Sequence, residues 1–274
     1  MLAQLTTSPG RPDRPNEDFA GAFPGCAVLL DGAGGPAEMP TGCSHHTHWY
    51  VRQLGARLLA AMETGGDAPL PGLLAEGIAA VSALHAGTCD LRAPGTPAAT
   101  VVMARFGPGT LDYLVLGDST LVIDHAGRPP RTVTDRGVDT VAVAERAAMD
   151  ALPTGTGDHQ AARLRFVGRQ RELRNRPGGY WIASTDPRAA AHAVTGSAGS
   201  GGLRRVTLLS DGAARFVEFS LGTWQDLLAA LDTHGLLAVL ARIRTAEDTD
   251  PAGARWPRPK PHDDATIVHF TAAS

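Results

Sequence analysis

Short apolar runs alternate with polar and glycine-rich segments, and their spacing predicts both strands and helices. The runs predict strands at 26–30, 98–106, 180–184, 205–210 and 265–271. Apolar residues at helical spacing predict helices at 47–62, 72–86, 222–233 and 235–246, and the segment 139–175 is expected to be helical in part. Because strand and helix signals are mixed rather than strictly alternating, the pattern favours an α+β fold with antiparallel sheets.

The segments between these elements carry turn and loop signals. Residues 111–124 alternate on either side of Gly117-Asp118-Ser119, which predicts a hairpin. The Gly- and Ser-rich stretch 195–202 predicts a flexible loop, as does the proline-rich stretch 248–262. Residues 1–24 are rich in proline and glycine and give no clear element. No internal repeat or domain boundary is evident, so we expect one domain over residues 1–274.

Four aspartates each lie at the edge of a strand-like run: Asp31, Asp118, Asp211 and Asp263. A carboxylate in such a position is held by rigid backbone, and several that meet at one sheet edge would form an oxygen-lined site for divalent cations. Asp-Gly is also a common turn dipeptide, so Asp31 or Asp211 alone fits a simple turn. The prediction therefore rests on the four aspartates together.

A glycine after the aspartate would let its own carbonyl approach a metal ion, as at Asp31-Gly32. Magnesium and manganese take oxygen ligands and retain water. Two such ions bridged by one aspartate could hold a hydroxide that attacks phosphorus at neutral pH. The carboxylates therefore point to hydrolysis of phosphate esters.

Charge and composition narrow the function classes. The formal net charge is -3 and the pI about 6.4, with no basic stripe, so neither nucleic acid nor an anionic membrane is the expected partner. Lys260 is the only lysine, which excludes a Walker A loop. The three cysteines, Cys26, Cys43 and Cys89, contain no Cys-x-x-Cys and favour a reducing compartment. With no signal peptide or membrane-length apolar run, we expect a cytoplasmic protein, and the oligomeric state stays open.

Five motifs resemble, in order and approximate spacing, those of metal-dependent Ser/Thr protein phosphatases of the 2C type, in a divergent, bacterial-like form. They are Asn16-Glu17-Asp18, Asp31-Gly32-x-Gly34-Gly35, Gly117-Asp118-Ser119, Ser210-Asp211-Gly212 and Asp263-Asp264-Ala265-Thr266, spread over about residues 10–270. Each motif is weak alone, and the ordered set is specific. The resemblance implies a four-layer αββα sandwich of two antiparallel sheets flanked by helices, with a variable flap-like insertion at roughly 135–178.

The resemblance also implies a centre of two magnesium or manganese ions, with a third in some members. Asp31 would bridge two ions and Gly32 would contribute its carbonyl. Asp211 and Asp263 would complete one ion, and Glu17 would support the other. The remaining acids, in a third site or around the first two, would be Asp18, Asp118 and Asp264.

The substrate phosphate would bind an arginine just before the first acidic motif. Arg14 is our choice, with Arg11 as the alternative because the register is shifted. Other positions also depart from the family: Ala33 stands where some members carry a histidine acid, and Thr120 where an arginine is usual. Gly95-Thr96-Pro97 replaces a familiar Gly-Thr-Thr. Protonation of the leaving group would then fall to a metal-bound water.

Two further clusters have competing interpretations. Cys43-Ser44-His45-His46-Thr47-His48 could hold zinc, but we favour a helix start capped by Ser44 or Thr47, with His45 or His48 near the substrate approach. Six arginines form a basic run, which we interpret as a solvated helix face, with a docking surface for phosphoprotein as the alternative. They are Arg163, Arg165, Arg169, Arg171, Arg174 and Arg176. Cysteine-phosphatase spacing (Cys-x5-Arg) and a Gly-x-Ser-x-Gly elbow are absent from the sequence.

The sequence therefore predicts a phosphoric monoester hydrolase that acts on phosphoserine or phosphothreonine in proteins, using a water bridged by two Mg²⁺ or Mn²⁺ ions. Two alternatives stay open. One is a catalytically weak or silent phosphatase fold that serves as a binding or regulatory module. The other is a metal-dependent phosphatase for a small metabolite.

Overall fold

The structure is a computed structural model that describes residues 1–272, and these form ten strands and seven α-helices. The strands are β1 (Leu2–Ser8), β2 (Phe19–Phe23), β3 (Cys26–Gly32), β4 (Ala99–Gly107), β5 (Thr110–Leu116), β6 (Thr120–His125), β7 (Arg131–Val133), β8 (Val194–Gly199), β9 (Leu203–Leu209) and β10 (Ala265–Thr271). The helices are α1 (His46–Thr64), α2 (Leu70–His85), α3 (Val143–Asp150), α4 (Gly157–Leu173), α5 (Asp211–Glu218), α6 (Trp224–His234) and α7 (Leu236–Thr249).

The strands form two five-stranded sheets in which every pair is antiparallel. The first sheet has the order β1-β10-β9-β6-β7, and the second has the order β2-β3-β4-β5-β8. Helices α1 and α2 pack on the second sheet, and α5, α6 and α7 pack on the first. The predicted α+β sandwich of two antiparallel sheets flanked by helices is confirmed.

The alternation of side chains along β3 shows how the layers are held together. Ala27 and Leu29 point into the core between the two sheets, while Val28 and Leu30 point toward α1 and α2. All four residues are fully buried. A strand buried on both faces appears in the sequence as a continuous apolar run, which is why β3 was predictable.

The predicted hairpin around Gly117 is wrong, because β5 and β6 belong to different sheets. The chain crosses from one sheet to the other at Gly117, whose φ of +86° favours glycine. A Cβ at this position would lie 2.8 Å from the side chain of Thr100. The alternating pattern marked two strands correctly, but it could not show that they separate.

Three other expectations also need correction. Residues 180–184 form no strand, only isolated bridges such as Ala99–Ala183. The expected flexible loop at 195–202 contains the edge strand β8, whose pairing with β5 overrides its low strand propensity. The featureless segment 1–24 contains β1 and β2, and helix α5 was not predicted.

Helices α3 and α4 pack against each other, with Met149 and Phe166 in a small core of their own. They lie within the segment 135–178, so they are the elements that the predicted flap-like insertion would contain. The assignment of residues 1–274 to one domain with a flap stays a prediction. No helix in the described part of the chain has both the length and the apolar character needed to cross a membrane.

Candidate metal centre and its cavity

The fold brings the four strand-edge aspartates to one cavity of about 720 Å³. Asp31 is the last residue but one of β3, Asp118 follows the crossover at Gly117, Asp211 begins α5, and Asp263 precedes β10. The Oδ2 atom of Asp31 accepts a hydrogen bond from the backbone N–H of Asp211 at 3.1 Å. Carboxylates from distant parts of the chain therefore share one site.

The first acidic motif is tied to the same place by Asp264. Its Oδ1 atom accepts the backbone N–H of Gly10 and its Oδ2 atom accepts that of Glu17, each at 2.7 Å. With both oxygens engaged by backbone, Asp264 positions Glu17 rather than offering a free ligand. Asp18 lies alongside, 7% exposed, and its Oδ2 atom accepts a hydrogen bond from Thr266 Oγ1 at 2.6 Å.

The glycines after Asp31 are required by the close approach of Glu17. A Cβ at Gly32 would lie 2.5 Å from the carbonyl oxygen of Glu17 and 2.7 Å from Cγ2 of Thr47. A Cβ at Gly34 would overlap the Glu17 carboxylate itself. The Asp-Gly-x-Gly spacing thus makes room for a fifth carboxylate, a reason for the glycines that the sequence did not reveal.

Most of these carboxylates lack a compensating positive charge. Burial and the neighbouring Asp211 raise the pKa of Asp31 well above its usual range, and burial and Asp263 raise the pKa of Asp211. Burial raises the pKa of Asp18 to about 8 and, with repulsion from Asp211, the pKa of Asp118 to about 7. One buried oxygen each of Asp18 and Asp211 has no hydrogen-bond partner among the described residues. Such a set fits bound divalent cations.

Asp263 is the exception, because two positive side chains already neutralise it. Lys260 Nζ contacts its Oδ1 atom, and Arg215 Nη2 donates to its Oδ2 atom at 3.1 Å. Burial alone would raise the pKa of Asp263, but Lys260 and Arg215 outweigh it and lower that pKa. A metal ion at Asp263 would have to compete with Lys260, so the predicted role of Asp263 as a metal ligand stays a prediction.

The carboxylates are not drawn into a tight group. In residues 1–272, the one group of three or more ligand atoms within 4.8 Å of one another consists of Cys43, His45, His85 and Cys89, none of which lines the cavity. A wider spacing is compatible with Mg²⁺ or Mn²⁺, which keep several water ligands. The residues present therefore fit hard cations at Asp31, Asp211, Asp18, Asp118 and Glu17.

Three arginines of the segment 135–178 form part of the cavity wall: Arg136, Arg146 and Arg163. Arg136 pairs with Asp139, and Arg146 pairs with Asp150. Arg163 differs, since its buried Nε has no partner in the described residues and burial lowers its pKa.

The two arginines predicted to bind phosphate lie outside this wall. Arg14 is exposed and is not among the described residues that line the cavity. Arg11 is exposed too, and its Nε donates to Asp13 at 2.9 Å. The choice of Arg14 stays a prediction, and Arg163 is the competing candidate that the structure adds.

The arginine run is only in part the solvated face that was expected, because Arg165, Arg169 and Arg176 are exposed and the other three are not. Arg171 is buried, and it donates from Nη1 to the carbonyl oxygen of Pro40 at 3.2 Å. Its guanidinium fills the space that a Cβ on Gly35 or Gly95 would need. Helix α4 is therefore fastened to the loop that follows Asp31.

Sequence reasoning missed the positive groups and one acid of the site: Arg163, Arg215, Lys260 and Glu218. Two of them carried a usable signal. Arg215 lies four residues after Asp211, on the same face of a helix, and Lys260 lies three residues before Asp263. Arg163 belonged to the arginine run, but nothing there marked it as a cavity residue, and Glu218 gave no signal, because the place of both depends on tertiary packing.

The expected helix cap near the cavity is wrong. Helix α1 begins after His45, with no side-chain cap, and His46 has a φ of +63°. Thr47 packs toward Gly32 instead. Neither His45 nor His48 is among the described residues that line the cavity.

Comparison with solved structures identifies the fold. No protein-family model matches the chain, and no curated protein matches it in sequence. The serine/threonine phosphatase PstP/Ppp of Mycobacterium tuberculosis superposes with a TM-score of 0.60 at 17% identity, over 100% of this chain and 99% of that one. The chain has the fold of a bacterial Ser/Thr phosphatase.

Two further structures agree. The catalytic domain of PstP in complex with two manganese ions gives a TM-score of 0.56 at 18% identity, over 100% of this chain and 98% of that one. A serine/threonine phosphatase of Staphylococcus aureus gives 0.54 at 16% identity, over 99% and 95%. The likeness to phosphatases of this type that the sequence motifs indicated is confirmed at the level of the fold.

Proposed function

We propose that this protein is a metal-dependent phosphatase that removes phosphate from phosphoserine or phosphothreonine in proteins. One observation supports this most directly: buried carboxylates without counter-charge and an unpaired arginine line the same cavity. The acids suit metal ions, and Arg163 suits the phosphate. The similarity to bacterial Ser/Thr phosphatases supports the substrate class.

The metal ligands in this proposal are Asp31, Asp211, the carbonyl of Gly32, and Glu17, with Asp118 and Asp18 beside them. Bound Mg²⁺ or Mn²⁺ would lower the pKa of water and neutralise charge on the phosphoryl oxygens. Asp264 contributes by holding the backbone of Glu17 in place. Asp31 and Asp211 are kept in register by the hydrogen bond between them.

Arg163 would bind and orient the phosphate. Its guanidinium offers planar, bidentate donors, and its Nε has no competing partner in the described residues. Ala33 lines the cavity but carries no proton donor, so the leaving group receives its proton from elsewhere in the site. In this proposal the residue at position 33 therefore takes no part in proton transfer.

The test is hydrolysis of a phosphopeptide panel beside a panel of small phosphorylated metabolites, each with Mn²⁺, with Mg²⁺ and after EDTA. We expect turnover of phosphopeptides that needs added metal. Turnover that persists after EDTA would reject the metal-dependent mechanism. Preference for one metabolite would reject a protein substrate and favour the small-molecule alternative.

A catalytically silent module is the second candidate, and the cations at Asp263 favour it. Lys260 and Arg215 supply positive charge within the site itself. If they replace a required metal ion, the protein would bind phosphorylated partners without hydrolysing them. Tight phosphopeptide binding with no turnover at any Mn²⁺ concentration would favour this reading. A phosphoprotein partner and a cytoplasmic location remain proposals in both cases.

A further inference from the structure

A second cluster of metal-ligating side chains lies away from the carboxylates, and the proposed function makes no use of it. It comprises Cys43, His45, His85 and Cys89, whose ligand atoms all lie within 4.8 Å of one another. Cys43 and His45 come from the loop before α1. His85 is the last residue of α2, and Cys89 follows in the next turn.

The distances within this Cys43–Cys89 cluster match a tetrahedral metal cage. Cys43 Sγ lies 3.3 Å from Cys89 Sγ, 3.5 Å from His85 Nδ1 and 3.7 Å from His45 Nδ1, and His45 Nδ1 lies 3.3 Å from Cys89 Sγ. A zinc ion with sulfur at about 2.3 Å and nitrogen at about 2.0 Å gives tetrahedral edges of about 3.3 to 3.8 Å. The four ligand atoms therefore surround a space of the right size.

The cysteines are free, and their sulfurs are too far apart for a disulfide, which needs about 2.05 Å. The backbone N–H of His45 points at Cys43 Sγ at 3.4 Å, and Thr88 Oγ1 lies 3.6 Å from Cys89 Sγ. Burial tends to raise the pKa of Cys89, but hydrogen bonds from His85 and from the backbone of Ser44 outweigh it and lower the pKa to about 5. This environment favours the thiolate of Cys89, the form that binds metal, whereas burial raises the pKa of the Cys43 thiol.

The surroundings hold the rings in place. Trp49 packs against His45 with ring centroids 4.4 Å apart and against His85 at 5.1 Å. His85 is 1% exposed, and its Nδ1 faces the cluster while its Nε2 has no partner in the described residues. His46, the first residue of α1, also has an uncommon positive φ, and no side-chain cap stabilises this helix start.

We infer that Cys43, His45, His85 and Cys89 form a structural zinc site that joins the loop before α1 to the end of α2. The four protein ligands close the coordination shell, which is typical of a structural rather than a catalytic zinc. Both sulfurs coordinate the ion as thiolates, so any thiol proton still present is released on binding. The site holds the start of α1, where Thr47 packs toward Gly32 of the carboxylate centre. It stands independently of the proposed function.

The test measures the metal content of the purified full-length protein by elemental mass spectrometry, after dialysis against metal-free buffer without a chelator. We expect about one zinc per chain. Replacement by Co²⁺ should give the visible bands of a tetrahedral Cys2His2 site, with a thiolate charge-transfer band. Cys43→Ser and Cys89→Ser should each lower zinc occupancy at least about tenfold and remove that charge-transfer signature.

Matched controls come from the same chain. Cys26→Ala removes the one cysteine outside the cluster, and His46→Asn removes a neighbouring histidine while tolerating its positive φ. Both should keep one zinc. If a cysteine variant fails to fold, the cobalt spectrum of the unmodified protein still decides the case. Absence of zinc, another transition metal at full occupancy, equal zinc in Cys43→Ser, or a Cys43–Cys89 disulfide in the purified protein would each overturn the inference.

Discussion

Replacing Lys260 by methionine should strengthen Mn²⁺ binding, because it removes a positive charge that competes for Asp263. The side chain of Lys260 is 41% exposed and that of Asp263 is 7% exposed, so the pair lies between a surface and a buried ion pair. Surface pairs contribute up to about 1 kcal/mol, and breaking a buried pair costs about 3–5 kcal/mol. Asp263 also keeps Arg215 at 3.1 Å after the change. We therefore expect the metal-free protein to lose about 2 kcal/mol of stability.

The same energy is what a metal ion must overcome to take the oxygen that Lys260 contacts. Since about 1.4 kcal/mol corresponds to a tenfold change in affinity, Lys260→Met should tighten Mn²⁺ binding by roughly 30-fold. Stability should then recover at saturating Mn²⁺, because a ligand that binds the folded state stabilises it.

The assay combines calorimetric titration with Mn²⁺ and urea unfolding in EDTA and in Mn²⁺. Lys260→Arg is the matched control, since it keeps the charge and should keep the weaker affinity. If Lys260→Met and the unmodified protein bind Mn²⁺ with the same affinity, Lys260 does not compete for the site. If the variant is as stable as the original in EDTA, the ion pair contributes nothing to the fold.

Three further outcomes follow from the site. Asp31→Asn should lower metal-dependent phosphatase activity by at least about 100-fold while raising the melting temperature in EDTA, because it removes a buried, repelled charge; a lower melting temperature would contradict this account. Arg163→Met should raise KM for phosphopeptides more than Arg14→Met does. The reverse order would favour Arg14 as the phosphate-binding residue. The metal-free protein should lose stability as the pH rises from about 4 to about 8. The loss is up to about 1.4 kcal/mol per pH unit for each carboxylate that keeps its proton in the folded protein but has released it in the unfolded chain. The reason is that Asp18 and Asp118 have folded-state pKa values of about 8 and about 7, above their unfolded value; urea unfolding in EDTA at several pH values checks it, and stability that rises with pH would refute it.

The parts of the fold that sequence predicted best are those with strong local patterns. Strand β3 was evident because both of its faces are buried, and Asp31 marks its end. The aspartates could be expected to meet because each ended or preceded a strand. The predictions that failed depended on which strands pair with each other across the fold. The alternation around Gly117 is the same whether the next strand turns back or crosses to another sheet.

The site was only half predictable for a related physical reason. Acid motifs are visible in sequence, whereas the groups that neutralise them are only partly so. The spacing of Arg215 after Asp211 and of Lys260 before Asp263 is a local signal, but the convergence of both cations on Asp263 depends on how loop and helix pack. The Cys43–Cys89 cluster shows the same limit, since His85 and Cys89 reach it from another helix.

The buried guanidinium of Arg171 limits how α3 and α4, which both contribute residues to the cavity lining, can move. It contacts the Pro40 carbonyl near the C-terminal end of α4, whereas Arg163, about two turns earlier on the same helix, lines the cavity. Moving α3 and α4 together away from the cavity would break the hydrogen bond from the buried Arg171 guanidinium to the Pro40 carbonyl. On the proposed function, we expect the cavity to widen for a phosphopeptide at α3 and the start of α4, while the Arg171 end of α4 stays in place.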